Sequence, residues 1–165
     1  MLYKYCSICG ARLKKSKDDN LECTKCDFVN YRNPRPTSTA LVLYKNKLLL
    51  TKRARAPFKG SWDLPGGFIE RGENADEAAI RELKEETGLD IKITKFFDVY
   101  TDKYTCGSDS FHTLCVLYIA TANKVSLKAM DDVCEAKWFA KKDIPKKIAF
   151  KSNQLAIKDF LKIWK

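Results

Sequence analysis

Between residues 37 and 52 the apolar side chains come in two bursts, Ala40-Leu41-Val42-Leu43 and Leu48-Leu49-Leu50, with Lys45-Asn46 between them. Short β-rich runs bounded by turn residues predict two strands, 37–44 and 47–52, joined as a hairpin. Residues 91–100, 111–122 and 136–140 predict three more strands by the same pattern. Two segments change to helical spacing, 75–87 and one that starts near Ser152. In the second, Ile157, Phe160, Leu161 and Trp164 share one face, the pattern of core packing. Start signals support the first: Asn74 stands three residues before Glu77, as in a capping box, and Asp76 with Glu77 suits the positive end of the helix dipole. Gly88 is placed to stop it. Strands surrounding two helices predict an α/β chain, an α+β arrangement or an α/β/α sandwich, rather than a doubly wound sheet.

The 165 residues suffice for one domain with a real core and a small appendage, and 45% apolar with 32% charged residues is a globular composition. The apolar runs are too short to span a bilayer, and the first residues lack a secretory pattern, so the expected location is the cytoplasm. Thirty-one Lys and Arg against 21 Asp and Glu leave a net charge of +10. That field favours acidic partners, from free nucleotides to RNA. The lysines are scattered, however, with no dense stripe between aromatics, so they also serve solubility.

Four of the seven cysteines open the chain as Cys6-x-x-Cys9 and Cys23-x-x-Cys26. Two such pairs with a short insert can surround one Zn²⁺ tetrahedrally, which would fill every coordination position and make the metal structural. Two disulfides fit poorly with a chain that carries Cys106, Cys115 and Cys134 at no paired spacing. Some 30 residues bury too little to fold alone, so metal binding would supply the folding energy. The expected organisation is a zinc ribbon at 1–32 and a main domain at 33–165, with the proline-bearing stretch 30–36 as linker.

The chemistry gathers behind Trp62-Asp63-Leu64-Pro65-Gly66-Gly67, a bend that lets backbone approach a ligand. In the helix that follows, Glu82, Glu85 and Glu86 stand at i, i+3 and i+4 and turn toward one region. A solvated acidic face would carry the same residues. Combined with the glycine bend and with Glu70 and Glu73 in the loop, the density of oxygen ligands points to Mg²⁺ or Mn²⁺. Such ions neutralise diphosphate charge and activate water.

The pattern Gly67-x5-Glu73-x7-Arg81-Glu82-Leu83-x-Glu85-Glu86-x-Gly88-Leu89 resembles the Nudix box at every fixed position. The resemblance implies an α/β/α sandwich that hydrolyses a nucleoside diphosphate linked to another moiety. It implies that Glu82, Glu85 and Glu86, with the Gly67 carbonyl, hold the metal, and that Glu73 and Arg81 pair to brace loop against helix. Glu70 would face metal or substrate. The general base stays open between Glu86 and the later acids Asp131, Asp132 and Glu135. His112, the one histidine, lies in an apolar strand and is expected to be structural.

A cysteine ribbon before such a domain is similar to the NADH pyrophosphatase subfamily. That subfamily's marker, Ser-Gln-Pro-Trp-Pro-Phe-Pro, is replaced here by Thr101-Asp102-Lys103-Tyr104-Thr105-Cys106-Gly107-Ser108, without a proline. ADP-ribose, NAD(H) or a nucleotide sugar is the expected substrate. Tyr104 and Phe111 could stack a base or serve the core. An enzyme of RNA 5′ ends and a non-catalytic nucleotide sensor are the rival readings, and the resemblance also implies a homodimer.

Overall fold

The computed structural model describes residues 3–165. Three short strands, β1 (Leu13–Lys15), β2 (Leu21–Cys23) and β3 (Val29–Asn30), form an antiparallel sheet of their own in the order β1-β2-β3. The rest of the chain builds a second, seven-stranded mixed sheet. Its strands are β4 (Arg35–Tyr44), β5 (Lys47–Arg53), β6 (Trp62–Asp63), β7 (Gly66–Phe68), β8 (Ile91–Cys106), β9 (Asp109–Ala122) and β10 (Val133–Ala140). The main path runs β10-β5-β4-β9-β8, with β6 against β5 and β7 against β4. Helix α1 (Ala75–Thr87) follows β7, and α2 (Lys151–Ile163) ends the fold.

Period-two alternation explains how one sheet carries two cores. Leu41, Leu48 and Leu50 point to the side where Ile157 and Phe160 of α2, with Trp164 at its C-cap, close the layer. Ala40, Val42 and Leu49 point to the other side and meet Leu83 of α1 with Leu89. The architecture is therefore an α/β/α sandwich. Leu41, Leu48, Leu49, Leu50, Leu83 and Leu117 are all fully buried, and each contributes about 1.5–3 kcal/mol by leaving water. Emptying one of these sites by Leu83→Ala costs about 2–5 kcal/mol.

Both helices were legible, and the C-terminal stripe packs as expected except that Leu161 is only half-buried. Several boundaries differ. The linker is shorter than 30–36, because Arg35 and Pro36 already pair with Thr113 and Leu114 in parallel register. A proline is tolerated at the start of a strand, where its missing N–H is not needed. β8 continues past Tyr100 to Cys106, and β9 starts at Asp109, so Thr101–Ser108 is the tip of a long hairpin turning at Gly107. β10 starts at Val133 rather than 136, with a register irregularity between Val133 and Glu135. His112 is exposed: Thr113, Cys115 and Leu117 take the buried face, which puts its side chain on the other.

Candidate active site

Helix α1 is held at both ends by the features that its sequence advertised. The Asn74 N–H donates to the Glu77 carboxylate at 2.8 Å, and Gly88 closes the helix in the left-handed conformation, its N–H on the Lys84 carbonyl at 2.9 Å. The Ser38 hydroxyl donates to the Ala75 carbonyl and docks the first turn on β4. Backbone bonds from Lys128 to Thr87 and from Met130 to Glu86 then bring the following loop against the last turn. That loop carries Asp131 and Asp132.

Glu82, Glu85 and Glu86 all border one cavity of about 370 Å³, together with Gly67, Glu70, Asp131 and Asp132. Their environments differ. Glu85 is exposed, while Glu86 is buried and accepts one hydrogen bond, from the Gly66 N–H at 3.2 Å. Burial, reinforced by the charge of Glu82, holds the Glu86 carboxyl well above the usual range. Burial also raises Glu82. These carboxylates lack enough positive charge of their own, which is the condition that a hard divalent cation satisfies.

Arg81 is the brace. Its Nε and Nη2 grip Glu73 at 2.8 and 3.0 Å, Nη2 also reaches the Phe68 carbonyl at 3.0 Å, and Nη1 bonds Glu82 at 2.9 Å and Glu85 at 3.1 Å. The guanidinium fork thus joins loop, strand β7 and helix. Arg81 and a backbone N–H from Glu70 hold the Glu73 carboxyl below its ordinary value. The two glycines have separate tasks. A Cβ on Gly66 would lie 2.7 Å from Thr39 Cα, so this glycine permits β7 to approach β4. A Cβ on Gly67 would lie 2.6 Å from Glu82 Oε2 and nearer still to Oε1, so this one makes room for the carboxylate.

Among the later acids, Asp132 and Asp131 border the cavity, and Asp132 pairs with Arg55 at 2.7 Å. Glu135 does not reach it. The register that sets Glu135 opposite Lys52 turns its side chain to solvent, where it pairs with the Lys52 ammonium at 3.2 Å. Tyr104 lies on the cavity wall, stacked on Phe150 with centroids 5.9 Å apart. Phe111 also stacks on Tyr104 at 5.1 Å, under the Arg35 guanidinium, and stays outside this cavity.

The bordering residues that the sequence reading did not single out include Arg53, Asp63 and Asn153. Asp63 is buried, and that burial pushes its carboxyl up to about 7 despite the amide of Asn153 and the nearby charge of Arg53. The Asp63 signal was a lone carboxylate inside an apolar turn. Asn153 sits four residues before Ile157 on the buried stripe of α2, a polar break in a face otherwise spent on core.

In the N-terminal lobe, the four cysteine sulfurs of Cys6, Cys9, Cys23 and Cys26 lie within 4.8 Å of one another. Cys6 and Cys26 Sγ are 3.8 Å apart, and Cys9 and Cys23 Sγ are 3.4 Å apart. Zn–S bonds of about 2.3 Å give a tetrahedral S···S edge of about 3.8 Å, so the set fits a zinc ion. Backbone N–H groups of Ile8, Lys25 and Cys26 point at sulfur. The Lys25 N–H in particular holds the Cys23 thiol down at about 6.

The NUDIX domain model matches residues 34–160. An ADP-ribose pyrophosphatase of Methanocaldococcus jannaschii is 39% identical over 146 residues, 86% of this chain and 82% of that protein. A NAD-capped RNA hydrolase NudC of Haemophilus influenzae is 33% identical over 98 residues, 58% of this chain but 37% of the relative. The crystal structure of a NUDIX hydrolase from Nitrosomonas europaea superposes with a TM-score of 0.80 at 29% identity, covering 97% of this chain and 91% of that one. With the box assembled around Arg81 and the match running through nearly all of the main body, the chain belongs to the NUDIX family and is a Nudix hydrolase.

Proposed function

We propose that this enzyme hydrolyses the diphosphate bridge of ADP-ribose and of related NAD-type dinucleotides, with nucleotide sugars in the same chemical class. One observation carries the reading: seven acidic side chains, Asp63, Glu70, Glu82, Glu85, Glu86, Asp131 and Asp132, border one cavity beside a wall of Tyr104 and Phe150. Such a ring repels a bare diphosphate, so a diphosphate substrate requires a cation between them. Glu82, Glu85, Glu86 and the Gly67 carbonyl would hold Mg²⁺ or Mn²⁺, which supplies Lewis acidity toward the phosphate oxygens and toward an attacking water. Arg81 and Glu73 keep those ligands in place. Asp132, ion-paired with Arg55, is the residue that we assign to accept the water's proton, since Glu86 is committed to the cation and to Gly66. Residues 1–32 form a zinc-stapled unit on Cys6, Cys9, Cys23 and Cys26 in front of the catalytic body, 33–165.

The relative in M. jannaschii, named as an ADP-ribose pyrophosphatase, supports the substrate class. Incubation with ADP-ribose, NADH, nucleotide sugars and capped RNA, each with Mg²⁺ or Mn²⁺, tests it. AMP should appear from the first two, and in ¹⁸O-water the label should enter phosphate. Absence of AMP, or label in the sugar, defeats the reading.

A second substrate is favoured by a separate observation. A groove of about 730 Å³ beside the cysteine lobe is bordered by Arg35, Lys103 and His112, by Lys15 and Arg32, which pair with Asp19, and by Asp109. It suits the phosphates of an RNA whose 5′ end carries the dinucleotide, and the NudC relative is named for that activity. Cleavage of such an RNA should then fall steeply with salt while ADP-ribose cleavage does not. Among the described residues no helix is long and apolar enough to cross a membrane.

A further inference from the structure

Helix α2 starts without a cap of its own. Its N-cap residue is Phe150, whose side chain cannot accept a hydrogen bond, and its first turn carries Lys151 and no acid. The first N–H groups of a helix have no partner within it, and the positive end of the dipole favours an anion. Both needs are met from 50 residues earlier in the chain, where Asp102 of β8 accepts the Ser152 N–H on Oδ2 at 2.8 Å. Ser152 is the second residue of α2, and its N–H is one that a local cap would take. The other oxygen of Asp102 accepts the Lys103 N–H at 2.7 Å, which fixes the carboxylate on its own strand.

Period two along β8 explains why this residue meets α2. The register of β8 on β9 is unbroken from Val99 to Cys106, so Tyr100, Asp102 and Tyr104 share one face. All three reach α2. The Tyr100 hydroxyl donates to Asp159 at 3.0 Å, along the body of the helix, and Tyr104 stacks on Phe150 at its start with the rings at 17°. The body of α2 is held in the core by Ile157 and Phe160, and neither Tyr100 nor Asp159 borders the cavity. The start of α2 does border it, through Phe150, Ser152 and Asn153. Asp102 therefore grips the one part of the helix that faces the cavity.

We propose that Asp102 is a positioning residue: by capping α2 from β8 it fixes the first turn of the helix against the hairpin, and with it the wall along which the substrate is held. The assignment rests on the reading of this cavity as the site of a nucleoside diphosphate derivative. The carboxylate cluster is braced separately by Arg81. Loss of the cap should therefore weaken the hold on the substrate and leave the bond-breaking step nearly intact. Asp102 belongs to Thr101–Ser108, the stretch that stands in place of the proline-rich marker. In this chain that stretch secures α2 through a carboxylate.

Steady-state cleavage of ADP-ribose in saturating Mg²⁺, with a thermal melt of each variant of the full chain, tests the assignment. Asp102→Ala should raise KM about tenfold while kcat stays within about threefold of wild type. Asp102→Asn keeps an acceptor oxygen for the Ser152 N–H and should hold KM within about threefold. Asp102→Glu keeps the charge at the helix end but carries it one methylene too far, so KM should rise again; this variant decides the matter if Asp102→Ala does not fold. Tyr100→Phe is the control, since it cuts the other hydrogen bond from β8 to α2, outside the cavity, and should leave KM within about twofold. Wild-type KM in both folded Asp102→Ala and Asp102→Glu overturns the proposal. An equal rise in Tyr100→Phe also overturns it, because any loosening of α2 would then suffice. If the wild type cleaves no diphosphate, the hydrolytic reading falls by itself, and calorimetric titration of AMP decides the positioning role by the same ranking of variants.

Discussion

Gly67→Ala isolates one requirement of the metal site from the stability of the fold. The new Cβ would lie 2.6 Å from Glu82 Oε2 and closer to Oε1 and the carboxyl carbon. Ordinary contact begins near 3.4 Å, so the carboxylate must move by about 1 Å, and a misplacement of that size in a reacting site can cost about 100-fold in rate. The clash is with the end of a flexible side chain, which can swing aside, so the fold should survive. Gly66→Ala makes the contrast. There the Cβ meets the backbone of β4, 2.7 Å from Thr39 Cα, and the residue holds φ at 147°. That substitution should lower the melting temperature markedly. Thermal melts and ADP-ribose turnover, measured for both variants in saturating Mg²⁺, give the comparison. Gly67→Ala should melt within a few degrees of wild type yet turn over about 100-fold more slowly. Turnover within twofold of wild type would show that the contact between Gly67 and Glu82 does not set the metal ligands.

Glu86→Gln keeps the shape of the side chain but removes its charge, and should lower turnover by orders of magnitude with an intact fold; Glu135→Gln, outside the cavity, should change turnover by less than about twofold. Purified protein should carry one zinc per chain, and Cys23→Ser should release it and loosen the N-terminal lobe while the main body still melts cooperatively. The Asp63 carboxyl is raised from 3.8 to about 7 by burial, so its contribution to stability is complete below about pH 4 and lost as pH rises through about 7. Urea melts should show Asp63→Asn gaining on wild type across this window, by up to about 4 kcal/mol at pH 8, and parallel curves would refute the burial argument.

The sequence was most informative where structure is made locally. The bounds of α1, its cap at Asn74, its stop at Gly88 and the face shared by Glu82, Glu85 and Glu86 all follow from contacts within five residues. The clamp of Arg81 on Glu73 spans only eight residues and was legible from the spacing of the box. The reading failed where partners are distant in the chain. Nothing near Glu135 announces that pairing with Lys52, 83 residues earlier, turns it to solvent. The hairpin extends beyond Tyr100 because β9 supplies partners as far as Asp109, and one strand's sequence does not contain the other's reach. Asp63 and Asn153 are 90 residues apart and acquire meaning only when β6 and α2 meet.

This division has a consequence for substrate choice. The groups that we propose hold the cation lie within Gly67–Glu86, and 20 residues of strand, loop and helix suffice to place them. The far wall of the same cavity draws on β5, β6, β8, β9 and α2, through Arg53, Asp63, Tyr104, Thr113 and Asn153. Substitution along any of those elements reshapes the cavity wall without disturbing Arg81 or its carboxylates. The hairpin tip at Thr101–Ser108 shows such a separation: it lacks the proline-rich marker, yet Tyr104 within it still reaches the cavity wall and stacks on Phe150. The carboxylate cluster and the far wall of the cavity are thus carried by different parts of the fold. A motif of fixed spacing reports the first, and the contacts that close the sheet decide the second.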